Sequence, residues 1–127
     1  MRAGLRAHAR GLYCGQAAVE LLIGHDRWLG REDFVGRFVQ VGGQPPVGWA
    51  WVDWQAVVTA LNAGALACSA SEGQLLRIAA SIAAGVPVDL RAAVTGLDEG
   101  NIALVAEAVL HMNGWPGRVV PAGVAAW

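Results

Sequence analysis

Lysine is absent from the chain, so all nine basic residues are arginines. Charged residues of either sign make up only 15% of the sequence and nearly cancel, leaving a net charge of −1. A chain so balanced sets up no overall field to draw in nucleic acid or an anionic membrane surface. With alanine, glycine and valine abundant, the exclusive use of arginine reads as GC-rich coding more than as function. Cys14 and Cys68 are the only cysteines, too few and too far apart for a disulfide scaffold or a four-ligand zinc site. Two free, buried thiols in a reducing cytoplasm are the expectation. Long apolar runs are missing too. The longest uncharged stretch, residues 54–71, is interrupted by Gln55, Thr59, Asn62 and Gly64, which makes it amphipathic rather than membrane-spanning. Arg2, Arg6 and Arg10 precede an apolar segment broken by Gln16 and Glu20, so no signal peptide is expected. No GxSxG, HExxH or phosphate-cradling glycine loop occurs, and no motif fixes a chemistry.

What is present is a 127-residue chain that is 55% hydrophobic, which excludes disorder. One domain of this size buries roughly two-thirds of the surface its unfolded chain exposes. Its organising stretch is Ser71 to Pro87, SEGQLLRIAASIAAGVP. Ser71 and Gln74 stand in capping-box spacing, Gly85 can take the left-handed position that ends a helix, and Pro87 bars continuation. Between them only Gln74, Arg77 and Ser81 are polar, so a central helix over 74–84 is apolar around most of its circumference and others pack about it.

The rest reads as helices as well. Residues 3–24 predict one helix with Leu5, Leu12, Val19 and Ile23 on a shared face, although Gly4, Gly11 and Gly15 weaken its first half by about 1 kcal/mol each relative to alanine. A helix over 31–40 turns Phe34, Val35, Phe38 and Val39 inward. Residues 41–50, VGGQPPVGWA, are the strongest loop signal. Asp53 caps a third helix to about Ala63 with Trp54, Val57, Val58 and Leu61 buried, Asp89 caps a short one to Thr95, and Asp98 caps one to about Asn113. Ile102, Val105, Val109 and Met112 form the inner face of that last helix. No strand pattern competes. The expectation is an all-α fold, a compact orthogonal bundle of about six helices, with residues 1–114 as a single helical domain and 115–127 as an extended segment or tail.

Several groups of residues are candidates for function. Residues 88–107 have helix-turn-helix offsets at Ala92, Gly96, Leu97, Ile102 and Val105. The second helix, however, offers Asp98, Glu99, Asn101 and Glu107 where phosphate contacts would need cations. Arg2, Arg6 and Arg10, with His8 nearby, form the only local basic patch and are the candidates for touching phosphate, against the alternative of a solvated face. His25 and Asp26 with Glu32 and Asp33, and Glu107 with His111, hold acid–base residue types. The first group, however, lies near a helix start, where acids serve capping and the dipole, and the second reads as a weak surface pair on the polar face of its helix. Trp49, Trp51 and Trp54 cluster after the proline loop, and Trp54 belongs to the core. Trp49 and Trp51, together with Trp115, Val119, Val120 and Trp127 near the C-terminus, are candidates for an interaction surface. No catalytic set, cofactor site or metal site is expected.

Residues 53–114, DWQAVVTAL followed by ACSASEGQLLRIAASIAAGVPVDLRAAVTGLDEGNIALVAEAVLHMNG, resemble small uncharacterised all-helical proteins of actinobacteria. The likeness extends weakly upstream to AAVELLIGHDRWLGREDFVGRFV. It implies a bacterial cytoplasmic protein and carries no activity or functional residue over. The function expected is therefore association, with itself or a protein partner. The alternatives are a nucleic-acid-associated regulator acting through the arginines, and a small-molecule binder or enzyme built on Trp49 and Trp51. No membrane partner is expected.

Overall fold

In chain order the protein forms α1 (Arg2–Ala9), α2 (Tyr13–His25), α3 (Glu32–Phe38), β1 (Val39–Gly42), β2 (Trp49–Val52), α4 (Trp54–Asn62), α5 (Ala70–Ala84), α6 (Leu90–Thr95) and α7 (Glu99–Met112). The structure, a computed structural model, describes residues 1–44 and 48–114. The mostly α fold is the one the sequence predicts. Asp53, Asp89 and Asp98 cap α4, α6 and α7 as expected, accepting hydrogen bonds from Ala56, Ala92 and Asn101 N–H at 3.1, 3.2 and 2.8 Å.

The central helix starts earlier than the Ser71–Gln74 reading placed it. Its capping box is Ser69–Glu72: Glu72 N–H donates to Ser69 Oγ at 3.2 Å, and Ser69 N–H donates to Glu72 Oε1 at 2.8 Å. A carboxylate at the third helical position accepts more strongly than the Gln74 amide and complements the helix dipole. Left-handed Gly85, φ 68°, ends the helix as predicted. Leu76 of α5 joins the cluster of Leu22, Trp28, Phe34, Phe38 and Val57. Leu75, Ile78, Ala79 and Ile82 join that of Ala17, Ala18, Leu21, Ala93, Val105 and Ala108, and Ala80 meets Val58 and Val86. Fully buried side chains of α5 enter all three clusters, so this helix ties the parts of the core to one another.

Three departures from the sequence reading have local causes. The predicted helix over 3–24 breaks at Gly11–Leu12 into α1 and α2, which leaves Leu12 exposed while Leu5 and Val19 are buried. On α7, Ile102 and Val109 are exposed, and the buried residues are Val105 and Ala108. The reason is the surface of α2 on which α7 lies. Ala17 and Ala18 present little bulk there, and Leu104 Cδ2 comes within 2.9 Å of where a Cβ on Gly24 would stand. Close approach therefore turns the Val105–Ala108 side of α7 inward and leaves Ile102 and Val109 outside. Finally, residues 39–42 and 49–52 form an antiparallel pair with register Val39↔Val52, Gln40↔Trp51, Val41↔Ala50 and Gly42↔Trp49, where the sequence reading placed a loop flanked by helices.

Candidate functional site

The hairpin carries three of the large apolar side chains that are exposed among the described residues, Val41, Trp49 and Trp51. Asp53 N–H donates to Phe38 O at 2.8 Å. In an antiparallel register, that bond makes 38/53, 40/51 and 42/49 the hydrogen-bonded pairs and turns the backbone groups of residues 39, 41, 50 and 52 outward. Alternation sends Ala50 and Val52 into the core and leaves Trp49 and Trp51 54% and 37% exposed on the opposite face. Helix α1 covers the outer edge of β2 and comes close because residue 4 is glycine. A Cβ there would stand 3.2 Å from Ala50 N and 3.3 Å from Gly48 O. His8, one helical turn further along α1, stacks on Trp51 with ring centroids 5.2 Å apart and meets Trp49 edge-on at 6.4 Å. Across the ribbon the Trp51 ring lies over β1, its Cη2 3.3 Å from where a Gly42 Cβ would be. A shallow cleft of about 260 Å³ beside Trp49 is lined by Met1, Ala3, Gly4, Val41 and Gly42. Another, of about 200 Å³, runs beside Trp51 past Leu5, Leu12, Trp54 and Ala83. Trp54 itself is half-buried and packs against the core, as expected. Trp115, Val119, Val120 and Trp127 lie outside the described residues.

The arginine stripe is largely paired within the chain. Arg2 Nη2 donates to Asp26 Oδ1 at 2.6 Å, and Arg6 holds both Glu20 oxygens at 2.8 and 2.9 Å. Glu20, by hydrogen bond and charge, raises the Arg6 pKa further. Arg6 and Arg10 line a polar cleft of about 210 Å³ with Gln16, Val19, Glu20 and His111. His111 Nε2 lies 3.2 Å from Gln16 Oε1, so its hydrogen-bond partner is on α2 rather than the Glu107 one turn back.

The candidate acid–base residues disperse. Asp26 turns to Arg2, and Asp33 pairs with Arg31 at 2.6 and 3.0 Å, which pulls the Asp33 carboxyl below its usual range. Glu72 is likewise lowered, by its hydrogen bonds to Ser69. Among the described residues, no three His, Cys, Asp or Glu side chains are grouped to hold a metal ion. The α6–α7 corner keeps Asp98, Glu99 and Glu107 exposed, with Asn101 half-buried. Both cysteines are free, but they are exposed rather than buried. Cys14 lies on the solvent side of α2, and Cys68 sits in the link before α5. Its sulfur is tucked 3.2 Å from the Cβ position of Gly73, and burial, then the charge of Glu72, pushes the thiol pKa up.

His25, at the end of α2, has the one buried side-chain nitrogen without a partner among the described residues, Nδ1. Burial lowers its pKa. Arg27 lowers it further, and Glu72, Asp98 and Asp26 oppose the change. The unfolded chain takes up this proton near the ordinary value of about 6.5, whereas the folded chain does so only at lower pH. Between those values the unfolded state holds more protons, so stability falls as pH drops through the window and levels off below the folded pKa. Replacing His25 with Gln is expected to reduce the loss of urea midpoint between about pH 7 and about pH 5. An unchanged loss would assign the pH dependence to other groups.

No family model matches the chain, and comparison with curated proteins and with solved structures gives no match. No helix among the described residues is long and apolar enough to cross a membrane.

Proposed function

We propose that the chain is a protein-interaction domain that acts by association, with itself or with another protein, through its hairpin. The observation supporting this reading is the contiguous apolar surface there. Trp49 and Trp51 are exposed on one face of the ribbon, and Val41, 77% exposed on the Ala50 face, meets Trp49 and exposed Met1 in the cleft they share. Contiguous apolar patches mark interaction sites where scattered ones do not. Indoles suit such a role because they bury large areas at low entropic cost. A phosphate-contacting role for Arg2, Arg6 and Arg10 has less support, since two of the three are held by carboxylates. A small-molecule site on Trp49 and Trp51 is also less well supported, because the adjoining clefts of about 200 and 260 Å³ fall short of the roughly 300–1,000 Å³ of ligand pockets. The same reading places the protein in a bacterial cytoplasm, in keeping with its actinobacterial resemblance and with two free thiols that a reducing compartment preserves.

Replacing both Trp49 and Trp51 with Ala tests the reading. The rings are exposed, so the double variant is expected to stay folded, within about 1 kcal/mol of the parent. Association measured by sedimentation should be lost. A double variant that associates as strongly as the parent would remove the aromatic face from the interface.

A further inference from the structure

We infer that the partner is a second copy of this chain, joined by antiparallel pairing of β1 with the partner's β1 about a two-fold axis at Val41. This rests on the reading of the hairpin as the associating element and specifies its geometry. The two edges of the ribbon are treated differently. The outer edge of β2 is covered by α1 at Ala50. The outer edge of β1 carries the backbone groups of Val39 and Val41. Val39 N–H is already bonded to Val35 O as part of the end of α3. Among the described residues no backbone hydrogen bond outside the ribbon reaches the N–H or C=O of Val41. An uncovered strand edge is a template for another strand.

Charge and symmetry select a second copy as that strand. Edges that must stay single are commonly guarded by lysine, proline or inward-facing charge. Residues 38–44, FVQVGGQ, contain none of these, so identical edges meet without like-charge repulsion. A two-fold axis at Val41 makes the exchange reciprocal, since each Val41 donates its N–H to, and accepts from, the other. The interface is then isologous and closes at two copies. It also covers Val41, the most exposed large apolar side chain among the described residues. The Trp51 ring lies over Gly42 on β1, next to the joining edge. Pairing therefore brings the two indoles over neighbouring strands as a diagonal pair, within reach for aromatic side chains. The result is a four-stranded sheet with strand order β2–β1–β1–β2 and one continuous tryptophan face.

Sedimentation of the purified full chain tests this, with Val41→Pro as the variant. Proline is tolerated where an edge N–H faces solvent, so the hairpin and the helical circular dichroism are expected to persist. The dimer dissociation constant should rise roughly tenfold or more, because a reciprocal pair of backbone bonds is lost. A folded Val41→Pro protein that dimerises as the parent does would overturn the edge pairing. It would leave association through the tryptophans to stand or fall on their own double variant. Loss of the dimer in Val41→Pro but not in the tryptophan variant would keep the edge and overturn the aromatic reading. A parent chain that is monomeric throughout overturns both. If Val41→Pro does not fold, Val41→Lys keeps the N–H and sets two ammonium groups face to face across the axis. Dimerisation of that variant at parental strength overturns the proposal, and a monomer supports it.

Discussion

Truncating Trp28 to Ala is expected to cost about 3–5 kcal/mol of folding stability, a large part of the roughly 5–15 kcal/mol that holds a domain of this kind together. The indole is fully buried between α2 and α3, in the cluster with Leu29, Phe34 and Phe38. Its centroid is 5.3 Å from that of Phe34, the Arg31 guanidinium lies 4.7 Å from the ring, and Nε1–H donates to the Glu72 carbonyl at 3.2 Å. Removing the ring leaves a cavity between a turn and α5 that neither can close, since α5 is fixed by its other contacts. Trp28→Phe separates the parts. It keeps most of the packing and loses the hydrogen bond, for an expected cost nearer about 1 kcal/mol. Urea unfolding followed by circular dichroism measures both. A Trp28→Ala protein within about 1 kcal/mol of the parent would show that the turn is not an anchor of the core.

Trp28 also marks where sequence reasoning stops. Residues 25–30 have no period, so nothing local announces that the indole at 28 reaches across 44 positions to the start of α5. The caps at Asp53, Asp89 and Asp98 were legible because each acts within four residues of itself. The apolar circumference of α5 was legible because it is a property of one helix. The buried face of α7 was not, because the small side chains of another helix, α2, decide it. The hairpin was hidden for the same reason. Its alternation is only four residues long on each side of a glycine- and proline-rich stretch, and its outer edge is completed by α1, some 40 residues earlier. The tryptophans at 49 and 51 could be named from the sequence. Their shared face, and the stacking of His8 upon it, depend on that distant packing.

Replacing Ile78 with Asp is expected to unfold the domain at neutral pH. Ile78 is 3% exposed on the side of α5 that packs among Ala17, Leu21, Leu75 and Val105. No buried polar or charged residue occurs among the described residues to pair with a carboxylate, and an unpaired buried charge costs several kcal/mol. The loss of apolar burial adds to this. The carboxylate can escape part of the cost by taking up a proton, which raises its folded pKa well above the ordinary value of about 3.9. A folded state that binds the proton more tightly than the unfolded one is relatively more stable at low pH, and it loses that advantage as pH rises through the folded pKa. The Ile78→Asp protein should therefore lie closer to the parent at about pH 4.5 than at about pH 7, the opposite sign to the His25 effect. Ile78→Asn, of similar size and without a titrating group, should lie the same distance below the parent at both. Circular dichroism and urea unfolding at the two pH values make the comparison. If Ile78→Asp is folded and stable at neutral pH, with no difference from Ile78→Asn, the centre of the core does not lie on this face of α5.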